Sequence, residues 1–199
     1  MLKRLLTTST ALSLLSFSAT AANTGVIDIS GVVADNTCII AINGGTPTAG
    51  TSVARGSVML PETYSADFEP GLKGKGSSVT FDIHFSGCNP AGMSVSTKFK
   101  PTILDLTFSD STVLKNTLSG NGAAEHVGVM LYRGDTIATG QEVTFDNTAP
   151  KAANLADWAF LTNGAGSLTY TAAVVRTSAT LPPTVGRYAA SAEFELTYK

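Results

Sequence analysis

Few residues in this chain have the types and spacing that chemistry needs. There are two histidines, His84 and His126, in 199 residues. His84 falls on the polar side of an alternating run and His126 at the head of another. Neither has a second His, Cys, Asp or Glu at metal-ligand spacing. GLKGKGSS (71–78) opens like a phosphate loop but has Ser77 where that motif needs lysine, and SGNGAAE (119–125) opens like a dinucleotide fingerprint but has Glu125 where the third glycine belongs. Glu193 and Glu195 are two apart on a predicted strand, which keeps one face solvated. No G-x-S-x-G elbow occurs. No catalytic residue, metal site or cofactor is expected. The one covalent reaction open to the side chains is oxidation of Cys38 and Cys88. Two cysteines in an exported chain read as one disulfide. The alternative, two free thiols, is disfavoured because exposed thiols persist poorly after export.

Export is read from residues 1–21. Lys3 and Arg4 precede a mainly apolar run, Leu5 to Phe17, and Ala19-Thr20-Ala21 supplies a small-residue cleavage pattern. The run is shorter than the ~20 apolar residues a membrane-spanning helix requires. The mature chain, Ala22–Lys199, has the size of one domain. Without Lys3 and Arg4 it carries 11 basic and 15 acidic residues, a formal charge of −4. Its cations are scattered, so neither nucleic acid nor an anionic membrane is indicated as a partner.

The elements that would position side chains are strands. Val58 and Leu60 alternate before Pro61; Val79, Phe81, Ile83 and Phe85 alternate up to Gly87-Cys88. Further short runs hold Leu104, Leu106 and Phe108, then Val127, Val129 and Leu131, then Val143 and Phe145, then Leu168 to Val174. In the last run Tyr188, Ala190, Ala192, Phe194, Leu196 and Tyr198 share one face, and the pattern reaches almost to the chain end. Gly-rich loops separate these runs, and 151–160 could hold a turn or two of helix. Seven or eight strands from Val32 onward predict an immunoglobulin-like sandwich with long loops. The opening stretch GVIDISG (25–31) alternates too, with Ile27, Ile29 and Val33 on the apolar face and Gly31 as a gap in it. It lies outside that strand count, with no obvious partner within the sandwich.

These pieces, in order, resemble the fimbrial (pilin) subunits of the chaperone–usher pathway, of type 1-like character, found in Gram-negative bacteria. The resemblance rests on a signal peptide and GVIDISGVVADNTC as the opening. SVMLPETYSADF, FDIHFSGC and LSGNGAAEHVGVMLY follow, and VGRYAASAEFELTYK closes the chain. Ile29 stands where the family usually has an aromatic residue, and INGGTPTAGTSVARG (42–56) reads as an insertion between the cysteines. The resemblance implies an all-β fold: an incomplete immunoglobulin-like β-sandwich that lacks its last strand, with a free N-terminal donor strand. It divides the chain into a signal peptide (1–21), a donor extension (22–31) and a pilin domain (32–199). Gly25, Ile27, Ile29, Gly31 and Val33 of one subunit would enter the groove of the next. The acceptor groove and chaperone contact would comprise Tyr188, Ala190, Ala192, Phe194, Leu196, Tyr198 and Lys199. The implied partners are neighbouring pilin subunits, a periplasmic chaperone and an outer-membrane usher. The implied location is a fimbrium on the cell surface, reached through the periplasm, and the implied role is structural, supporting cell adhesion. A minor or tip-associated pilin that itself binds a host receptor is the alternative. Whether GVIDISG of an isolated chain hangs free or folds back into its own groove is left open at this level.

Overall fold

The structure, a computed structural model of the chain, describes residues 23–32, 38–42, 53–88, 93–149 and 157–199. Val33 lies outside them, as do residues 151–156 of the helical turn considered at 151–160, whose last two residues, Ala159 and Phe160, are a short strand instead. Among the described residues ten strands follow in chain order: β1 (Asn23–Val32), β2 (Ile39–Ile42), β3 (Val53–Thr63), β4 (Lys75–Ser86), β5 (Ser94–Pro101), β6 (Leu114–Lys115), β7 (Val127–Arg133), β8 (Ala159–Phe160), β9 (Gly166–Arg176) and β10 (Arg187–Tyr198). They form two five-stranded sheets, one ordered β3-β1-β10-β5-β8 and the other β2-β4-β9-β7-β6. The all-β sandwich anticipated from the alternating runs is the observed architecture.

Alternation explains the core. In β4, Phe81, Ile83 and Phe85 point inward while Thr80, His84 and Ser86 face solvent. In β10, Tyr188, Ala190, Ala192, Phe194 and Leu196 are buried, and Arg187 and Glu193 are exposed. The two inner faces meet around Phe99, whose ring packs edge-on against Tyr170 (5.3 Å between centroids) and Phe145 (6.0 Å) and tilts against Phe194 (6.0 Å). Cys38 and Cys88 form the expected disulfide and join the ends of β2 and β4.

Two runs differ from the strand reading. Leu104, Leu106 and Phe108 alternate, yet Leu106 is 90% exposed and only Leu104 makes a β-bridge, to Leu114. Asp105 is the reason: its side chain accepts from the Thr107 amide at 3.0 Å and its carbonyl from the Phe108 amide at 3.0 Å, which turns the chain. Phe108 instead joins Val113, Met130, Tyr132, Ala173 and Val175 in a second cluster on the outer face of β7 and β9. That cover is why β9 reads as a near-continuous apolar run. Val143 and Phe145 are buried but lie outside any named strand, each held by a single backbone bond to Leu131 and Ser111 respectively. Strand β5, SVSTKFKP, carries no alternating apolar signature, because Ser96 and Thr97 are polar yet fully buried and hide its pattern. Ser96 Oγ donates to the Asp157 carbonyl, and Thr97 Oγ1 bonds the Tyr170 hydroxyl.

Candidate functional site

The two terminal strands meet. β1 lies between β3 and β10, antiparallel to β3 and parallel to β10. The segment left without a partner by sequence patterning is thus paired along its whole length within its own sheet. The physical reason is visible in the ladder. Without β1, the facing edges of β3 and β10 would leave two rows of backbone groups and their inward side chains unpaired, which is costly. β1 is the segment of the chain that satisfies both.

The register sets the packing layer by layer. Gly25 sits between Leu60 and Tyr188, Ile27 between Val58 and Ala190, Ile29 between Gly56 and Ala192, and Gly31 between Ala54 and Phe194. Size alternates against size. Ile27 and Ile29, 0% and 1% exposed, lie beside the two small residues of β10. The two glycines lie beside its two large rings. The match is tightest at Gly25: a Cβ there would stand 1.9 Å from Cε2 and 2.1 Å from Cζ of Tyr188. Gly56 does a related job on β3, since a Cβ there would stand 2.6 Å from the Cβ of Ile42 in the facing sheet. Burying the two isoleucines contributes about 1.5–3 kcal/mol each.

Polar groups frame this seam. On the outer face, Ser57 Oγ donates to Asp28 Oδ1 at 2.6 Å, with Ser191 opposite on β10. At the Gly25 end, the Tyr188 hydroxyl is buried without a hydrogen-bond partner. The nearby Thr63 and Ser77 hydroxyls bond each other and the Pro61 carbonyl instead. Burial pushes the Tyr188 phenol up to about 12, and the Ser77 and Thr63 hydroxyls beside it offset part of that rise. On the outer face of β10, Glu195 pairs with Lys100 (3.0 Å) and Lys98 (3.7 Å) of β5. The hydrogen bond from Lys100, then the charge of Lys98, hold its carboxyl below the ordinary value.

The residues singled out from sequence are placed as follows. Gly25, Ile27 and Ile29 are buried in the seam, and Gly31 takes its place there through backbone pairing with Phe194 and Ala54. Tyr188, Ala190, Ala192 and Phe194 form the β10 wall beside β1, and Leu196 continues that row into the core. Tyr198 lies further along, its hydroxyl 3.5 Å from Cys38 Sγ. Lys199 exchanges two backbone hydrogen bonds with Ser94, both 3.0 Å, and its ammonium stands 4.4 Å from the Trp158 ring centroid. These contacts hold the chain end that patterning alone left unexplained. Sequence reasoning missed the other wall of the seam. Val58 and Leu60 were legible as a strand, but nothing local says that β3 flanks β1. His84 is exposed, and His126 has a φ of 60° at the loop before β7. Among the described residues no group of three His, Cys, Asp or Glu could hold a metal ion.

Among solved structures, the chain is similar to the CupB6 tip adhesin from Pseudomonas aeruginosa, at 15% identity and a TM-score of 0.42. The similarity covers 76% of this chain and 55% of that one, so this chain spans just over half the length of that protein. A search of curated protein sequences finds no match. The model of one family, described as fimbrial protein, matches residues 27–199. The matched span takes in both cysteines, both sheets and β1 from Ile27 onward, and this chain belongs to the fimbrial protein family.

Proposed function

We propose that this chain is a structural, non-enzymatic subunit of a surface fimbria that polymerises by donor-strand exchange and supports cell adhesion. In this reading residues 1–21 are removed on export, 22–31 are the donated segment and 32–199 the pilin domain. The observation that carries the proposal is the seam. A strand from the very start of the mature chain fills the gap between β3 and β10. Withdrawn, it would uncover Val58, Leu60, Tyr188 and Phe194 together with two open strand edges. Such a gap requires a strand but not a strand of the same molecule.

The occupant then changes with the stage. A periplasmic chaperone lends a strand before assembly, and the carboxylate end near Tyr198 and Lys199 is its point of hold. At the outer-membrane usher the segment of the next subunit takes over. In the isolated chain the segment fills its own seam, which protects the monomer from edge-to-edge aggregation. Head-to-tail linkage of this kind does not close, so it makes a filament. Nothing in that role calls for catalysis.

Deleting residues 22–33 tests the donor role. The truncated chain is expected to accept a strand but to give no fibres by electron microscopy. Ordered fibres from truncated protein alone would refute it. Deleting Phe194–Lys199 is expected to abolish a stable chaperone complex, and recovery of a normal complex would overturn the acceptor assignment.

A further inference from the structure

The dipeptide Asn-Gly occurs three times, at 43–44, 121–122 and 163–164. This pair is prone to one spontaneous reaction of a protein chain. The glycine amide nitrogen bonds to the side-chain carbonyl carbon of the asparagine, and ammonia leaves. Water then opens the resulting five-membered succinimide at either carbonyl. One opening gives aspartate. The other gives isoaspartate, in which the main chain runs through the former side chain. Glycine favours the attack because no side chain crowds its nitrogen. Residues 43 and 44 lie outside the described part of the chain. The other two pairs stand in opposite settings.

Asn163-Gly164 is the two-residue tip of a tight hairpin. Thr162 and Ala165 exchange backbone hydrogen bonds of 2.9 and 3.0 Å, and both tip residues have positive φ, 53° and 73°. Gly164 is buried, and its carbonyl accepts from the Cys88 amide at 3.0 Å. A Cβ on it would stand 2.6 Å from the Cys88 carbonyl oxygen. The tip is thus pressed against the backbone of a bridged cysteine. Closing the succinimide needs rotation about the Cα–C bond of the asparagine, and this tip leaves no room for it.

Asn121-Gly122 is open by comparison. Both residues are exposed, and a Cβ on Gly120 or Gly122 would meet nothing within 4 Å. The Ala123 amide closes the turn by donating to the Gly120 carbonyl at 3.1 Å. We propose that Asn121 is a site of spontaneous deamidation in the folded chain, and that Asn163 is protected from it. The product carries one more negative charge. Its isoaspartate form also acts on β10. The Arg187 amide donates to the Gly122 carbonyl at 2.8 Å, and the Ala124 amide donates to the Arg187 carbonyl at 2.8 Å. Gly186 fits closely beneath this turn, since a Cβ there would stand 2.5 Å from the Ala123 carbonyl carbon. Isoaspartate adds one main-chain atom to the turn and so loosens its hold on Arg187, the first residue of β10. Aspartate keeps the main chain unchanged. None of this depends on the donor role.

Peptide mapping by mass spectrometry tests the proposal. The full-length chain is held in mildly alkaline buffer, with or without urea, and then digested. In the folded chain the peptide holding Asn121 is expected to convert to a mixture of aspartate and isoaspartate. Asn163 is expected to convert at least about tenfold more slowly, since it must wait for local opening. In urea the two should convert at similar rates, which assigns the difference to the fold. Asn121→Gln should abolish conversion of its peptide. Equal rates at both sites in the folded chain, or an Asn121 as inert there as Asn163, would overturn the proposal. Hydrogen exchange reads the effect on β10. The Arg187 amide should exchange faster in the isoaspartate form than in Asn121→Asp, and equal exchange would overturn the link to β10.

Discussion

The sharpest consequence of the seam concerns Gly25. Replacing a strand glycine by alanine ordinarily stabilises a protein by about 0.4–1 kcal/mol, through the unfolded state. Here the opposite is expected. The added Cβ would fall 1.9–2.4 Å from three atoms of the Tyr188 ring, which is buried and cannot bend away like the tip of a flexible chain. Either the ring shifts or β1 leaves. Leaving forfeits the burial of Ile27 and Ile29, about 3–6 kcal/mol together. Overpacking costs about 1–3 kcal/mol, so the ring shifts and β1 stays. The net loss for Gly25→Ala is then about 2 kcal/mol, roughly thirtyfold in the folded-to-unfolded ratio. Urea denaturation of the full chain reads this as a lower midpoint, and hydrogen exchange as faster opening of the amides of β1. Adding Tyr188→Ala should relieve much of the clash, giving a coupling of about 1–2 kcal/mol in a double-mutant cycle. A midpoint for Gly25→Ala equal to or above that of the parent chain would refute the reasoning. It would mean that the Tyr188 ring does not define the register.

Ile27→Ala and Ile29→Ala should each cost about 2–5 kcal/mol and make β1 sensitive to limited proteolysis; resistance equal to the parent would contradict their burial. The Tyr188 phenol is raised above its ordinary value of 10.0 to about 12, so it contributes stability in full below pH 10, lost as pH rises from there to about 12. Tyr188→Phe should flatten that alkaline limb and be near neutral at pH 7, because the hydroxyl it removes is buried without a partner. Glu195 is depressed below its ordinary 4.5 by Lys100 and Lys98, so its contribution is present above that pH and lost as pH falls through the lower value. Glu195→Gln should therefore weaken the acid dependence of the melting temperature, and an unchanged profile would show the cluster to be inert. Replacing Cys38 and Cys88 together by serine opens a loop of 50 residues, at a cost of roughly 4 kcal/mol, seen as a lower urea midpoint.

Much of this molecule is legible in its sequence because a strand with one buried face must alternate. GVIDISG, VTFDIHF and the closing run from Tyr188 to Tyr198 announce themselves in that way, and an even pair of cysteines behind an export signal announces a bridge. What alternation cannot encode is which strands become neighbours, because pairing partners are far apart in sequence and satisfied by backbone groups that every residue carries. The run at Leu104–Phe108 shows the limit from one side: its pattern fits a strand, and the side chain and carbonyl of Asp105 bend it away. Strand β5 shows it from the other, since Ser96 and Thr97 are buried through hydrogen bonds that no local pattern reveals. The two glycines of β1 make the same point. From sequence, Gly31 was the gap in the apolar face, expected to matter only in a neighbour's groove; the tertiary structure sets it opposite Phe194 of its own chain and gives Gly25 the tightest fit, against Tyr188. Alternation along the chain specifies an all-β protein with a regular, apolar-faced strand near each end. That those two strands lie side by side is a property of the folded sandwich, because the gap between β3 and β10 exists nowhere in the chain until the sheets have closed around it.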